Sequence, residues 1–258
     1  MTSSVLLLPL LLADAGDYFG KAIVDNFGLF WSGLLMTLNI SFWSAVISFV
    51  VGLVVALLRV TPSGGLKVVA TAFTEFFRNT PLLVQVFVFY FGLPKLGVNL
   101  RFSMFGFTVS DSFSAGTLSL GLYTGAYVAE VLRAGLLSVP KGQGEAARSL
   151  GLSLMQTLQL VIMPQAVRLV LPPLGNLYSA MLKNSAILSY IGVADLMYQS
   201  DYVNNRTFRT FEVLTAVVVF YLLLTLPLGW LVHWLEKKFN PLRARTLRHD
   251  DELQRLHK

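Results

Sequence analysis

The sequence predicts an all-α integral membrane protein with about five membrane-spanning helices, and three observations carry that expectation. Hydrophobic residues make up 55% of the 258-residue chain and charged residues only 13%, far too apolar for an ordinary soluble domain. Runs almost free of charge recur along it, each long enough for a helix to cross a hydrocarbon layer of roughly 30 Å. The polar segments between the runs are short. The chain therefore reads as one membrane domain, residues 26–239, between an N-terminal extracytoplasmic or interfacial segment (1–25) and a basic tail (240–258).

Composition also excludes function classes. The net charge of +6 needs no nucleic acid, because membrane proteins concentrate Lys and Arg in cytoplasmic loops. The absence of cysteine rules out disulfides, thiolate metal sites and cysteine nucleophiles. His233, His249 and His257 lie in or near the tail at spacings that give no metal-ligand set.

Each element follows in order. The run VLLLPLLL has no basic residue before it and contains Pro9, so it does not read as a secretory signal but as a peripheral or loosely inserted N-terminus. Residues 14–25 are polar and suit an interfacial helix. Residues 26–58 carry no charge, more than one perpendicular span needs, which implies tilt or an interfacial turn. Within them Gly33, Ser41, Ser44, Ser48 and Gly52 are small residues suited to close helix packing. Residues 59–67 form a short basic loop with turn chemistry from Pro62, Gly64 and Gly65.

The second apolar region, 68–93, is interrupted by TEFFRNTP. Glu75 and Arg78, three apart, are expected to pair along one helical face, and Pro81 to kink or break the helix. Residues 95–111 read as a loop. The third span, 112–138, carries Glu130 and Arg133 near its end. A fourth stretch, 154–182, holds Arg168 and is expected to bend, given Pro164, Pro172, Pro173 and Gly175. Residues 181–200 form a further helical region opening on Lys183, Asn184 and Ser185, residues 201–209 a polar loop, and 212–234 the last span. Lys237, Lys238, Arg243, Arg245 and Arg248 follow it. With five spans, the basic tail and the 59–67 loop fall on one side and Asp14, Asp17 and Asp25 on the other. That bias places the N-terminus outside and the C-terminus in the cytoplasm.

Residues 140–164 are a polar, glycine-punctuated segment between apolar runs. Pro140 is expected to end the preceding helix and Gly142 and Gly144 to give a loose turn. Glu145 would then open a short helix, where a carboxylate suits the dipole. Ala146 and Ala147 leave the backbone nearly bare for a partner surface, and Gly151 permits a sharp bend. Glu145, Ala146, Ala147, Gly151 and, further on, Pro164 resemble the EAA loop of the membrane subunits of ATP-binding-cassette importers. Val161 and Met163 replace the isoleucine and leucine of that pattern. The resemblance implies a coupling helix that docks on a cytoplasmic ATPase.

The likeness extends further. GLLMTLNIS, EFFRNTPLLVQVFVFYFGLP, AYVAEVLRAGLLSVPKGQGEAARSLGLS and LKNSAILSYIGVADL resemble the polar amino acid branch of these permeases, and the matching segments span roughly residues 27–239. This implies the type I ABC importer permease fold in a bacterial cytoplasmic (inner) membrane, surrounded by lipid. It also implies two cytoplasmic ATP-binding subunits, a second permease subunit, identical or related, and an extracytoplasmic amino-acid-binding protein. The chain has no Walker-type phosphate loop, no H-E-x-x-H and no G-x-S-x-G, hence no evident ATPase or hydrolase chemistry of its own. ATP-Mg would sit on the partner subunits, with no cofactor or metal in this chain.

Ionisable groups inside spans mark a pathway or a partner. Glu75, Arg78, Asn79, Thr80, Glu130, Arg133, Lys183, Asn184 and Ser185 are therefore candidates to line a substrate pathway, since an amino acid zwitterion needs contacts of both signs. The competing reading is that each Glu–Arg couple neutralises itself and braces helices. The resemblance, and not any pocket read from the residues, favours acidic amino acids or glutamine as substrates. The alternative is a secondary transporter driven by an ion gradient, which has no need of an EAA loop and for which no inverted repeat is evident.

Overall fold

The computed structural model describes residues 20–61, 63–104 and 107–239. Asp14, Asp17, Pro62 and the tail from residue 240 lie outside the described residues. A short helix α1 (Lys21–Asp25) leads into α2 (Phe27–Val60). Helix α3 (Gly64–Asn79) stops before Pro81, and α4 (Leu82–Lys95) leaves it at an angle of 108°. The loop expected over 95–111 contains an antiparallel hairpin, β1 (Phe102–Met104) on β2 (Phe107–Val109). Then come α5 (Asp111–Leu137), α6 (Lys141–Ser149) and α7 (Leu154–Ile191). The chain closes with α8 (Leu196–Thr207) and α9 (Thr210–Phe239).

Length and apolarity qualify α2, α7 and α9 as membrane spans, and α3 with α4 as a bent pair that forms either one broken span or a re-entrant loop. This is a multi-pass membrane protein. Helix α5, at 27 residues, is about 40 Å long, yet it is less apolar than the others. Its position explains why. It packs on α2, α3, α4 and α7, so many of its residues meet protein rather than lipid, and Ala115, Gly116, Thr117, Ser119, Gly121, Thr124, Gly125 and Ala126 are buried.

Among the described residues the α2–α5 interface is the most extensive, and it depends on small residues. A β-carbon at Gly52 would lie 2.5 Å from Val128 Cγ1, and one at Gly121 would lie 2.7 Å from Ile47 Cγ2. Ser44, in the same stripe, donates its hydroxyl proton to the Thr117 carbonyl at 3.1 Å. Gly33 serves a second contact: its missing β-carbon leaves room for the Asp195 carbonyl, which would otherwise be 2.9 Å away. Ile40, Leu82, Val86, Leu120 and Leu188 form the main core, where α2, α4, α5 and α7 meet.

Two expectations are corrected here. Residues 201–209 are mostly helix rather than loop, because Asp195 caps α8 by accepting from the Tyr198 N–H at 2.9 Å and Phe208, at φ 55°, closes it. Met181–Asn184 belong to α7, which runs on through a final 3₁₀ turn, Ser185–Ile191. The prolines of α7 sit within continuous helix. A π turn at Leu158–Ile162 immediately precedes Met163 and Pro164, and this local widening absorbs the backbone donor that proline lacks.

Candidate functional site

Pro140, at φ −56° and ψ 132°, stands at the N-cap of α6, where its lack of an N–H leaves no intrahelical bond unmade. The helix therefore begins at Lys141 and takes in Gly142 and Gly144, which were expected to form a turn. Glu145 is consequently the fifth residue of α6 and not its cap. A β-carbon at Gly144 would make ordinary contacts, 3.7 Å from Ile162 Cδ1 and 3.9 Å from Thr157 Cγ2 on the start of α7, so packing there does not demand glycine. Ala147 is buried, whereas Glu145, Ala146, Arg148 and Ser149 are exposed.

The end of α6 is a Schellman motif. Gly151 donates to the Arg148 carbonyl at 2.9 Å and Leu152 to the Ala147 carbonyl at 3.2 Å. Gly151 has φ +85° and open space around its α-carbon, so the backbone conformation, and not crowding, requires glycine. Ser153 then opens α7 with a capping box. Its hydroxyl accepts from the Gln156 N–H at 3.3 Å and its own N–H donates to Gln156 Oε1 at 2.9 Å. A short helix is thus fixed at both ends with one face turned outward.

The second constellation is centred on Glu130. Arg59 contacts its Oε1, and Arg78 Nη1 lies 3.4 Å from the same oxygen. Arg133 donates to Oε2 from Nε at 3.1 Å and from Nη2 at 2.9 Å. One carboxylate thereby ties the end of α2, the end of α3 and two turns of α5. The Arg59 and Glu130 side chains are only 11% and 19% exposed, a setting in which charge–charge contacts are strengthened. The expected Glu75–Arg78 pair does not form. Glu75 accepts from Asn79 Nδ2 at 2.7 Å on an exposed face, because the break after Asn79 lets Arg78 reach another helix. Arg59, read from sequence only as a loop residue, is the least exposed member of the cluster.

Arg78 also stands over the Tyr127 ring, 5.6 Å from its centroid. Tyr127 opens onto a cavity of about 170 Å³ between α5 and α7, lined also by Tyr123, Thr124, Leu177, Met181 and Asn184. The two tyrosine hydroxyls are 3.3 Å apart. Asn184 is thus beside the Glu130 cluster's aromatic neighbour, while Lys183 is exposed and Ser185 is buried with its hydroxyl on the Leu182 carbonyl at 2.8 Å. Thr80 binds Gln85 at the break. Tyr123 and Tyr127 were missed because aromatic residues in membrane helices usually serve packing.

Two buried carboxylates also escaped the sequence reading. Glu212 accepts from the Gly20 and Ala22 N–H groups at 2.6 and 3.1 Å, holding α1 to the start of α9. Asp195, fully buried between the spans, has one carboxylate oxygen without a hydrogen-bond partner. Burial pushes its carboxyl up to about 7, aided by Asp201 and opposed by the Tyr198 N–H.

The family described as "binding-protein-dependent transport system inner membrane component" matches residues 48–241. The probable glutamine ABC transporter permease protein GlnM of Bacillus subtilis (strain 168) is 45% identical, over 84% of this chain and 95% of that protein. The glutamine transport system permease protein GlnP of Escherichia coli (strain K12) is 37% identical, over 86% of this chain and 98% of that protein. Among solved structures, an amino acid ABC transporter crystallised with histidines superposes with a TM-score of 0.75 at 40% identity, over 84% of this chain and 96% of that one. The inward-facing MetNI methionine ABC transporter, at 21% identity and TM-score 0.65, shares the fold.

Proposed function

This chain belongs to the family of binding-protein-dependent transport system inner membrane components, and from that premise we propose that it is the translocating subunit of an ATP-driven importer of polar amino acids, with glutamine the favoured substrate. Relatives that cover most of the chain are named as glutamine permeases, which favours the amide over the acidic amino acids. They are permease proteins, and the ATP-hydrolysing subunit is a separate chain. Two ATPase subunits with ATP-Mg, a second permease subunit and an extracytoplasmic amino-acid-binding protein complete the machine in a bacterial inner membrane. In this reading α5 is the third of five spans, the N-terminus is outside, and α6 and the C-terminus are cytoplasmic.

The observation that carries the reading is the outward face of α6. A helix held by a Schellman motif at one end and packed on α7 presents Glu145 and Ala146, next to exposed Leu150 (85%), Leu154 and Met155. Exposed apolar side chains around a rigid short helix suit a protein groove. ATP-driven closure of the ATPase pair would move α6 as a rigid lever and rock the spans between inward- and outward-facing states. The cavity beside Tyr127, with Arg78, Glu130 and Asn184 near it, is where substrate would pass.

The test is uptake of labelled amino acids by vesicles holding the assembled complex, with ATP on the ATPase side. ATP-dependent uptake with glutamine preferred is expected, abolished by Glu145→Arg in α6. Uptake driven by an ion gradient without ATP would overturn the reading.

A further inference from the structure

We propose that Gln85 is a positioning residue of the transport cycle: its side-chain amide locks the break in the second span and thereby keeps Arg78 on Glu130. Only the activity arm of the argument rests on the transporter reading.

A helix end leaves its last carbonyls without intrahelical donors, and within a membrane such groups must be satisfied by protein. At the end of α3 side chains meet three of them, the carbonyls of Phe76, Phe77 and Arg78. Thr80 Oγ1 donates to the Phe76 carbonyl at 2.8 Å, and the Tyr127 hydroxyl reaches the Arg78 carbonyl at 3.5 Å. Gln85 Nε2 meets the Phe77 carbonyl at 3.0 Å and, just past the helix, the Thr80 carbonyl at 3.1 Å and Thr80 Oγ1 at 2.7 Å. Pro81 has no N–H to offer, so the next turn cannot take over.

Gln85 also grips the far side of the break, since its backbone N–H makes the first hydrogen bond of α4, to the Pro81 carbonyl at 3.2 Å. One residue therefore spans the 108° bend. The amide orientation is dictated by its surroundings, because a flipped amide would set oxygen against three oxygens. Its own Oε1 is buried without a partner, so the bent state leaves an acceptor free for a donor that a second arrangement could supply. Arg78 lies between the two carbonyls that Gln85 holds. Loosening the amide frees the backbone that aims its guanidinium at Glu130 and over Tyr127.

The test uses the assembled complex in lipid nanodiscs with spin labels at Val69→Cys and Val88→Cys, both exposed positions in a chain without cysteine. Gln85→Leu keeps the bulk and removes all three contacts. Thr80→Val removes the hydroxyl and leaves both Gln85–carbonyl bonds. A single narrow label distance is expected for the parent, a broad one for Gln85→Leu and an intermediate one for Thr80→Val. Amino acid moved per ATP hydrolysed should fall about tenfold in Gln85→Leu, from buried acceptors left unmet, with KM for the amino acid unchanged. A role limited to packing would lower the unfolding temperature while leaving the distance and the ratio alone, and that result overturns the proposal. If Gln85→Leu does not assemble, an unchanged distance in Thr80→Val overturns it instead. If the parent takes up no amino acid with ATP, the transporter reading fails while the label distances still decide the hinge.

Discussion

Arg59 and Glu130, 71 positions apart in the chain, meet at the junction of α2 and α5 in a largely buried ion pair. Removing one partner of such a pair leaves the other charge uncompensated, here beside two more guanidinium groups. Glu130→Ala is predicted to cost about 3 kcal/mol, read as a drop in unfolding temperature in detergent. Arg78, at 3.4 Å and 37% exposed, contributes less, and Arg78→Ala should cost about 1 kcal/mol or below. Equal losses for the two variants would reject the picture of one carboxylate as the hub.

At Gly151 only the backbone is at stake. Gly151→Ala should cost about 1 kcal/mol through its φ of +85°, and Gly151→Asn less, since asparagine tolerates the left-handed region. ATP-dependent uptake should follow the same order. A variant series that instead tracked side-chain volume would show that crowding governs the site.

Gly135 faces the opposite situation. A β-carbon there would stand 2.0 Å from Val170 Cγ1, so Gly135→Ala overpacks the α5–α7 contact and is predicted to destabilise by about 2 kcal/mol. Val170→Ala in the same chain should restore most of the loss, measured as a double-mutant cycle. Failure of the second substitution to rescue the first would place the strain elsewhere.

The Asp195 carboxyl, raised from its usual 3.8 to about 7 by burial, predicts a pH dependence of defined sign. The folded state binds a proton that the unfolded chain releases near pH 4, so stability is greatest in acid and falls as pH rises through about 7. Asp195→Asn keeps the helix cap and removes the charge. Its unfolding temperature relative to the parent should therefore rise between pH 5 and pH 8. A difference that does not change with pH would show that Asp195 is not the titrating group.

Much of this architecture was legible in sequence because bilayer length and the 3.6-residue repeat leave few options. The uncharged run ending at Arg59, the break at Pro81 and the small-residue stripe of α2 all lie where the pattern put them. What could not be read is anything set by which helices face each other. Glu75 and Arg78 are spaced to pair, yet the 108° bend sends Arg78 to Glu130. Gly142 and Gly144 suggest a turn, yet Pro140 starts the helix before them and packing on α7 keeps it. The polar run 201–209 reads as loop because its caps, Asp195 and Phe208, lie just before it or use a conformation sequence rarely reveals. Tyr127, Asp195 and Gln85 look unremarkable alone and matter through partners far along the chain.

The modest apolarity of α5 bears on how the protein is made. A helix rich in glycine, serine, threonine and tyrosine, with Glu130 and Arg133 near its end, partitions weakly into lipid by itself. Its stable home is the groove of small residues on α2, which the ribosome has already delivered to the bilayer when α5 emerges. Biogenesis is therefore ordered by the sequence, with α2 acting as receptor for α5. A circularly permuted gene that translates residues 111–239 before residues 20–104 would present α5 to the translocon without that receptor, and insertion should stall there.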